Sequence, residues 1–389
     1  MKILIANNNM KLGGVQKSLC NLLWELHRQG KHQVTLLLLK PVGEYMQMLP
    51  PGTQCIAAQS PMALMGIGQG ECRGFDKLKR GYFAAFCRLF GRPAAVKQML
   101  RGQETLPGEY DCAIAFLHNG GTRSFIGGVQ ELVLERVNAK RKIAFIHGDY
   151  GQNGGKNPDN DGLLARFDRI AACSEGCAEA LITALPELAD RVTTVRNCHN
   201  ISQIRAFAEE APVEYDPDRI HILCVARLSA TKGVDRALRA VAAALQEGFA
   251  VTLHIVGSGP EEEKLHTLAK ELGIWEQVCF YGAQTNPYRY LKNADLFLLT
   301  SHHEAAPMVI DEAYLLGIPT LTTKTSSSEE MVTRRNCGWV CENNQQDLNR
   351  MLLEILGDPE SLGEKKENLR SCRMDNEAAM QQFAQVLEQ

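Results

Sequence analysis

The chain has 389 residues, 45% of them hydrophobic and 22% charged, with a net charge of −3 and a pI near 6.4. That length exceeds one ordinary core and predicts two domains of roughly two hundred residues each. The composition excludes a disordered chain, and the slightly acidic balance excludes a dedicated nucleic-acid binder, so no nucleic-acid partner is expected.

No apolar run approaches the ~18 residues of a bilayer-spanning helix. Met1 leads directly into strand-like KILIA, so no signal peptide is expected. Thirteen cysteines occur without a single CxxC, and several (Cys112, Cys224, Cys279) sit inside apolar runs, as buried thiols do. An odd count without an export signal predicts a reduced, cytoplasmic protein, and the spacing predicts no zinc site.

Strand-length apolar runs alternate with helix-length segments throughout, which predicts a doubly wound α/β architecture. In the first half the runs are 2–6, 34–40, 112–117, 142–148, 169–174 and 191–197. A polar, glycine-bearing loop, 7–14, joins the first strand to a helix over 15–29. The segment 76–101 carries seven Lys or Arg against one Asp, with Tyr82, Phe83, Phe86 and Phe90 interleaved. Such a basic, aromatic helix suits an anionic membrane surface, and equally an ordinary domain helix with a basic wet side. His147 ends the run 142–148, followed by Gly148 and Asp149.

Three motifs along the chain read as structural. Asp159-Asn160-Asp161 has metal-motif spacing, but it lies in a Gly/Asn/Pro-rich stretch and predicts a surface turn. Ala172-Cys173-Ser174-Glu175-Gly176 resembles a nucleophile elbow without its first glycine, and Ser174 predicts a helix N-cap instead. His302-His303 has no third ligand nearby in sequence.

The acidic, proline-bearing stretch 209–219 predicts the interdomain linker. Beyond it come runs at 221–227, 251–257, 278–282, 295–301 and 318–323. Arg227 ends the first of these, and Lys232 follows just before an Ala/Leu-rich helix. Two cations at a strand's carboxyl end suit a diphosphate, Arg as a fork and Lys as a point charge. Gly257-Ser258-Gly259 follows the next strand, with Glu262 where a dinucleotide fingerprint needs its third glycine.

After the run 295–301, Glu304 lies in a loop, Pro307 predicts a helix start, and Glu312 falls eight positions after Glu304. The first-turn amides of Met308 and Val309 suit a phosphate. Two carboxylates beside an anion site would repel the anion itself. They make sense as hydroxyl acceptors, one for a sugar and one for a ribose.

This segment resembles the Glu-x7-Glu signature of the retaining glycosyltransferases of family 4. Those proteins have the GT-B fold, two Rossmann-like parallel-sheet domains facing a central cleft. The resemblance implies that Glu304 contacts the donor sugar and Glu312 the ribose hydroxyls. The family usually has Gly after the first Glu, where this chain has Ala305. The string ARLSATKG resembles the family's arginine-to-lysine loop, so Arg227 and Lys232 would neutralise the leaving diphosphate. Gly257 matches its glycine turn near the donor, and Gly14 its Gly-Gly loop facing the donor from the other domain. A histidine facing the acceptor and reacting sugar maps to His147, with Asp149 and His118 as weaker matches.

Further implications are a nucleotide-diphosphate-sugar as substrate, no cofactor or metal, and a glycan or lipid-linked acceptor. The expected domains are 1–198 on the acceptor side and 199–373 on the donor side, with a last helix over about 374–389 crossing back to the first. Two rival readings stay open on the same residues: a nucleotide-sugar isomerase or epimerase, and a non-catalytic sugar-nucleotide binder. A serine hydrolase built on Ser174 is a more distant third.

Overall fold

The computed structural model describes residues 1–152 and 154–388, so Gln389 of the expected terminal helix lies outside the described residues. The chain divides into two compact units, Met1–His199 with Asn376–Gln389, and Asn200–Asp375. Each is built on one parallel sheet.

In the first unit the strands are β1 (Lys2–Asn7), β2 (Gln33–Leu38), β3 (Gln54–Ala57), β4 (Tyr110–Ala115), β5 (Ala139–Ile146), β6 (Arg169–Ala172) and β7 (Val192–Thr194). Their order is β3-β2-β1-β4-β5-β6-β7. Ile5 of β1 lies between Leu36 of β2 and Ile114 of β4, and all three are fully buried. Strands buried on both faces must read as unbroken apolar runs, which is why the central ones are legible in sequence.

Two cores cover the sheet's faces. One gathers Leu4, Leu37, Ala113 and Leu132; the other gathers Ile3, Ile5, Leu36, Ile114 and Phe145. The terminal helix Glu377–Glu388 completes the second core with Ala379, Met380, Phe383, Val386 and Leu387, a 3.6-residue spacing that puts all five on one stripe. Asn376 anchors its start: Oδ1 accepts from the His199 amide at 2.9 Å, and Nδ2 donates to the His199 carbonyl at 2.8 Å.

The second unit has β8 (Ile220–Val225), β9 (Val251–Val256), β10 (Val278–Phe280), β11 (Leu296–Leu299), β12 (Thr320–Thr323) and β13 (Gly338–Cys341), ordered β10-β9-β8-β11-β12-β13. Two strands escape a reading by apolar runs, β3 and β13. Both are short edge strands, and β3 (QCIA) has no buried residue to mark it.

The linker expected at 209–219 is instead part of the second unit. The Val213 amide donates to the Arg289 carbonyl at 3.0 Å and the Tyr215 hydroxyl to the Tyr290 carbonyl at 2.7 Å. Acidic residues and prolines there accompany a docked strap whose apolar residues, Val213 and Tyr215, face the core.

Under that strap runs a chain of hydrogen-bonded rings. His221 Nε2 lies 2.8 Å from the Asp216 carbonyl, which only accepts, so Nε2 carries the proton. His221 Nδ1 therefore accepts from His254 Nε2 at 2.9 Å, and His254 Nδ1 accepts from the Tyr281 hydroxyl at 3.0 Å. Burial, then His221, push His254 down to about 4. The unfolded chain binds a proton near 6.5 and the folded one only near 4, so this stability is full above about pH 6.5 and is lost as pH falls toward 4. We expect the thermal midpoint to drop between pH 7 and pH 5, and that of His254→Gln, whose amide offers a donor and an acceptor but does not titrate, to drop less. Identical pH slopes for the two proteins would contradict this assignment.

Candidate functional site

In the second sheet the winding reverses between β8 and β11, the position where open α/β sheets leave a crevice at the strands' carboxyl ends. The chain leaving β8 carries Arg227 and Lys232, and the chain leaving β11 carries Glu304. Backbone contacts tie the two together. The His302 amide donates to the Thr231 carbonyl at 2.9 Å, and the Thr300 hydroxyl donates to the Gly233 carbonyl at 2.7 Å. Gly233 turns with φ +57, and a Cβ there would lie 2.4 Å from the Thr300 carbonyl oxygen.

This arrangement seats Lys232 Nζ 2.6 Å from Glu304 Oε1. The Ser301 hydroxyl donates to the same oxygen at 2.6 Å, and the Ser326 hydroxyl to the Glu304 carbonyl at 2.8 Å. The Glu304 side chain is 9% exposed and that of Lys232 30%. Among the described residues no group donates to Glu304 Oε2. Behind them, the Arg236 guanidinium donates to Asn343 Oδ1 at 2.7 Å, and Asn343 Nδ2 donates to the His302 and Lys324 carbonyls, both at 3.0 Å.

Arg227 lies two residues beyond the end of β8 and is exposed, so the strand is shorter than the expected 221–227. The turn after β9 holds its segment in place: the Leu228 amide donates to the Ser258 carbonyl at 3.0 Å, and Glu261 to the Leu228 carbonyl at 3.0 Å. Gly257 has φ +141, and a Cβ there would lie 1.9 Å from the Ala226 carbonyl oxygen. Its own amide donates to the Gly282 carbonyl at 2.8 Å, so Gly257 serves by letting two loops approach rather than by offering an N–H.

The helix after β11 spans Met308–Leu315, with Pro307 as its extended N-cap rather than its first residue. Met308 and Val309 are therefore first-turn residues whose N–H groups lack intrahelical acceptors. Glu312 follows in the same helix and is 2% exposed. Ala305 lies outside the left-handed region of backbone space, so the methyl it has in place of the usual Gly causes no strain.

Gly14 and His147 belong to the first unit, while the other seven candidates belong to the second. Gly14 opens the helix Gly14–Gln29 after β1, beside the winding reversal between β1 and β4. His147 follows β5, its ring 4.5 Å from Phe116. Burial and then neighbouring His118 push His147 down to about 3, and its Nε2 is hidden from water without a hydrogen-bond partner. His118 Nδ1 accepts from the His147 amide at 3.2 Å, and burial holds His118 at about 4. Both rings are neutral.

The structural motifs resolve as follows. Ser174 caps the helix Glu175–Ala184, its side chain accepting from the Cys177 amide. Asp159-Asn160-Asp161 is helical rather than a turn, within Pro158–Leu164, and Asn160 ties fully buried Arg92. His302 and His303 are exposed. Among the described residues no group of three or more His, Cys, Asp or Glu could hold a metal ion. Sequence reasoning missed Ser301, Ser326, Arg236 and Asn343. Ser301 lies three residues before Glu304 and was within reach; Ser326 is 22 residues away and gives no local signal.

Residues 207–371 match the family described as Glycosyl transferases group 1. The lipopolysaccharide glucosyltransferase WaaG of Escherichia coli K12 is 32% identical over 32% of this chain and 34% of its own length. The lipopolysaccharide core biosynthesis glycosyltransferase LpsD of Rhizobium meliloti is 28% identical over 41% of this chain and 47% of its own. The chain thus spans less than half the length of these curated relatives. Over whole chains, the crystal structure of Anabaena HepE in complex with UDP and glucose superposes with a TM-score of 0.68, 19% identity, 100% coverage of this chain and 99% of that one. That of the galactosyltransferase WaaB, in its apo form, gives 0.64 at 16% identity, covering 100% and 99%. The fold is GT-B, with two Rossmann-like parallel-sheet units of seven and six strands.

The glycines separate by what surrounds them. Gly257→Ala forces a clash with backbone at positive φ and is expected to cost more than about 1 kcal/mol of stability. A Cβ at Gly14 meets nothing within 4 Å, so Gly14→Ala is expected to leave the thermal midpoint within about a degree or two. Equal losses in the two variants would show that these surroundings are misassigned.

Proposed function

We propose that the chain is a retaining glycosyltransferase. It moves a sugar from a nucleotide-diphosphate-sugar to an acceptor hydroxyl without a metal ion. The observation that carries this reading is the Lys232–Glu304 contact at the winding reversal of the group 1 unit. A carboxylate beside a diphosphate site is tolerable only if a cation stands between them. An ammonium has three N–H donors, so Lys232 can keep Glu304 and still meet a phosphate oxygen.

In the reaction the bond from the anomeric carbon to the β-phosphate oxygen breaks, and its electron pair stays on that oxygen. The acceptor oxygen bonds to the anomeric carbon, and its proton passes to the departing diphosphate. Arg227, Lys232 and the first-turn amides of Met308 and Val309 receive the charge that builds on the phosphate, as preorganised donors that need no reorientation during the step. Glu304 holds a sugar hydroxyl with Oε2, since Oε1 already takes Lys232 and Ser301. Glu312 takes the ribose hydroxyls.

His147, neutral, is assigned to the acceptor side; its Nε2 is buried, so contact with an acceptor hydroxyl requires neighbouring side chains to move. An imidazole held at about 3 is too weak a base to remove that proton at neutral pH. The relatives point to bacterial surface polysaccharide synthesis, hence to a glycan or lipid-linked acceptor met at the inner face of the membrane.

The test is nucleotide release against a panel of UDP-, GDP- and ADP-sugars, with products read by mass spectrometry. We expect one donor class to be consumed only with acceptor, Lys232→Ala to lower turnover about a hundredfold or more, and Glu312→Ala chiefly to raise the donor KM. Conversion of donor without acceptor would establish an isomerase instead. Unchanged kinetics in both variants would remove the site assignment.

A further inference from the structure

The helix Gly74–Phe90 has its apolar face turned the wrong way. A helix on a globular domain normally buries that stripe and wets its polar one. Here Phe75, Leu78, Tyr82, Leu89 and Phe90 are 69%, 70%, 53%, 74% and 64% exposed. Their spacing places them on one side, and Phe86 joins them, its ring 4.7 Å from Phe90 and 6.1 Å from Tyr82. The domain side is held by other residues: Cys87 is fully buried, Phe83 packs against the core, and Arg80 donates to the Ile67 carbonyl at 2.8 Å and to Gln69 at 2.9 Å.

Cations border this outward face. Lys77 and Arg88 are exposed, and the Lys79 ammonium lies 4.8 Å from the Phe75 ring centroid. Lys97 and Arg101 on the following helical stretch are exposed as well. None of the five forms an ion pair among the described residues. Arg92, counted with them by sequence, is fully buried against Glu131 and Asn160 and takes no part.

We propose that this helix docks the protein on an anionic phospholipid surface. The exposed stripe would enter the acyl boundary, and Lys77, Lys79 and Arg88 would sit among the headgroup phosphates. A second copy of the chain fits poorly, because a two-fold pairing of this face would set the same unpaired cations against one another. At 17 residues the helix is about 25 Å long and lies along the surface, and no described helix is long and apolar enough to cross a membrane. The proposal rests on first-unit residues alone and stands apart from the donor reading.

The test is co-sedimentation of the full chain with vesicles of phosphatidylcholine plus phosphatidylglycerol, and of phosphatidylcholine alone, at low and high salt. We expect binding to the anionic vesicles only, weakened by salt. Lys77→Glu with Arg88→Glu should lower the partition at least about tenfold, and Leu78→Ser with Leu89→Ser should lower it similarly. Circular dichroism should show both double variants folded, since all four side chains face solvent. Absent binding, or binding that neither double variant changes, would overturn the proposal. So would self-association abolished by the serine variant without any vesicle binding.

Discussion

A cation held between two groups that would otherwise repel is the interaction on which the proposed site depends. Lys232 rests on Glu304 at 2.6 Å. With the ammonium in place, a carboxylate and a diphosphate can share one crevice; without it, the carboxylate would expel the phosphate. Ser301 donates to the same carboxylate oxygen, and Ser326 fixes the backbone beneath it, so Glu304 is held from three sides while its second oxygen stays open. That division of labour would let one acidic side chain anchor a lysine and still offer an oxygen to a hydroxyl.

The sheet supplies the rest. Loops leaving β8, β9 and β11 converge because those strands are neighbours, and the glycines at the loop bases remove the Cβ atoms that would hold them apart. Gly233 lets the chain after β8 lie against Thr300, and Gly257 lets the turn after β9 lie against Ala226. Arg227 is thus positioned through backbone alone, which leaves its guanidinium free for solvent or ligand. In the first unit, His147 is held among aromatic rings where its charged form is disfavoured.

Much of this was legible in the chain. Central strands buried on both faces must be apolar throughout, so β1, β8 and β11 stand out as LIA, ILC and FLL. The edge strands β3 and β13 carry no such constraint and went unseen. The docked strap at 209–219 looked like a linker because local composition records acidity and proline but not Tyr215 reaching Tyr290, 75 residues away. Glu304, Lys232 and Arg227 were readable as chemistry at strand ends. Ser326, Arg236 and Asn343 were not, because each acts through contacts 19 or more residues distant. A count of basic residues overstated the charge of 76–101 by including buried Arg92, and periodicity alone did not reveal that the apolar stripe of Gly74–Phe90 faces solvent.

The most direct measurement is a crystal structure of the chain grown with UDP. The diphosphate is expected against the Arg227 guanidinium, the Lys232 ammonium and the amides of Met308 and Val309, with the ribose hydroxyls on Glu312. A nucleotide bound elsewhere, or bound in that crevice with Lys232 and Glu312 out of reach, would contradict it.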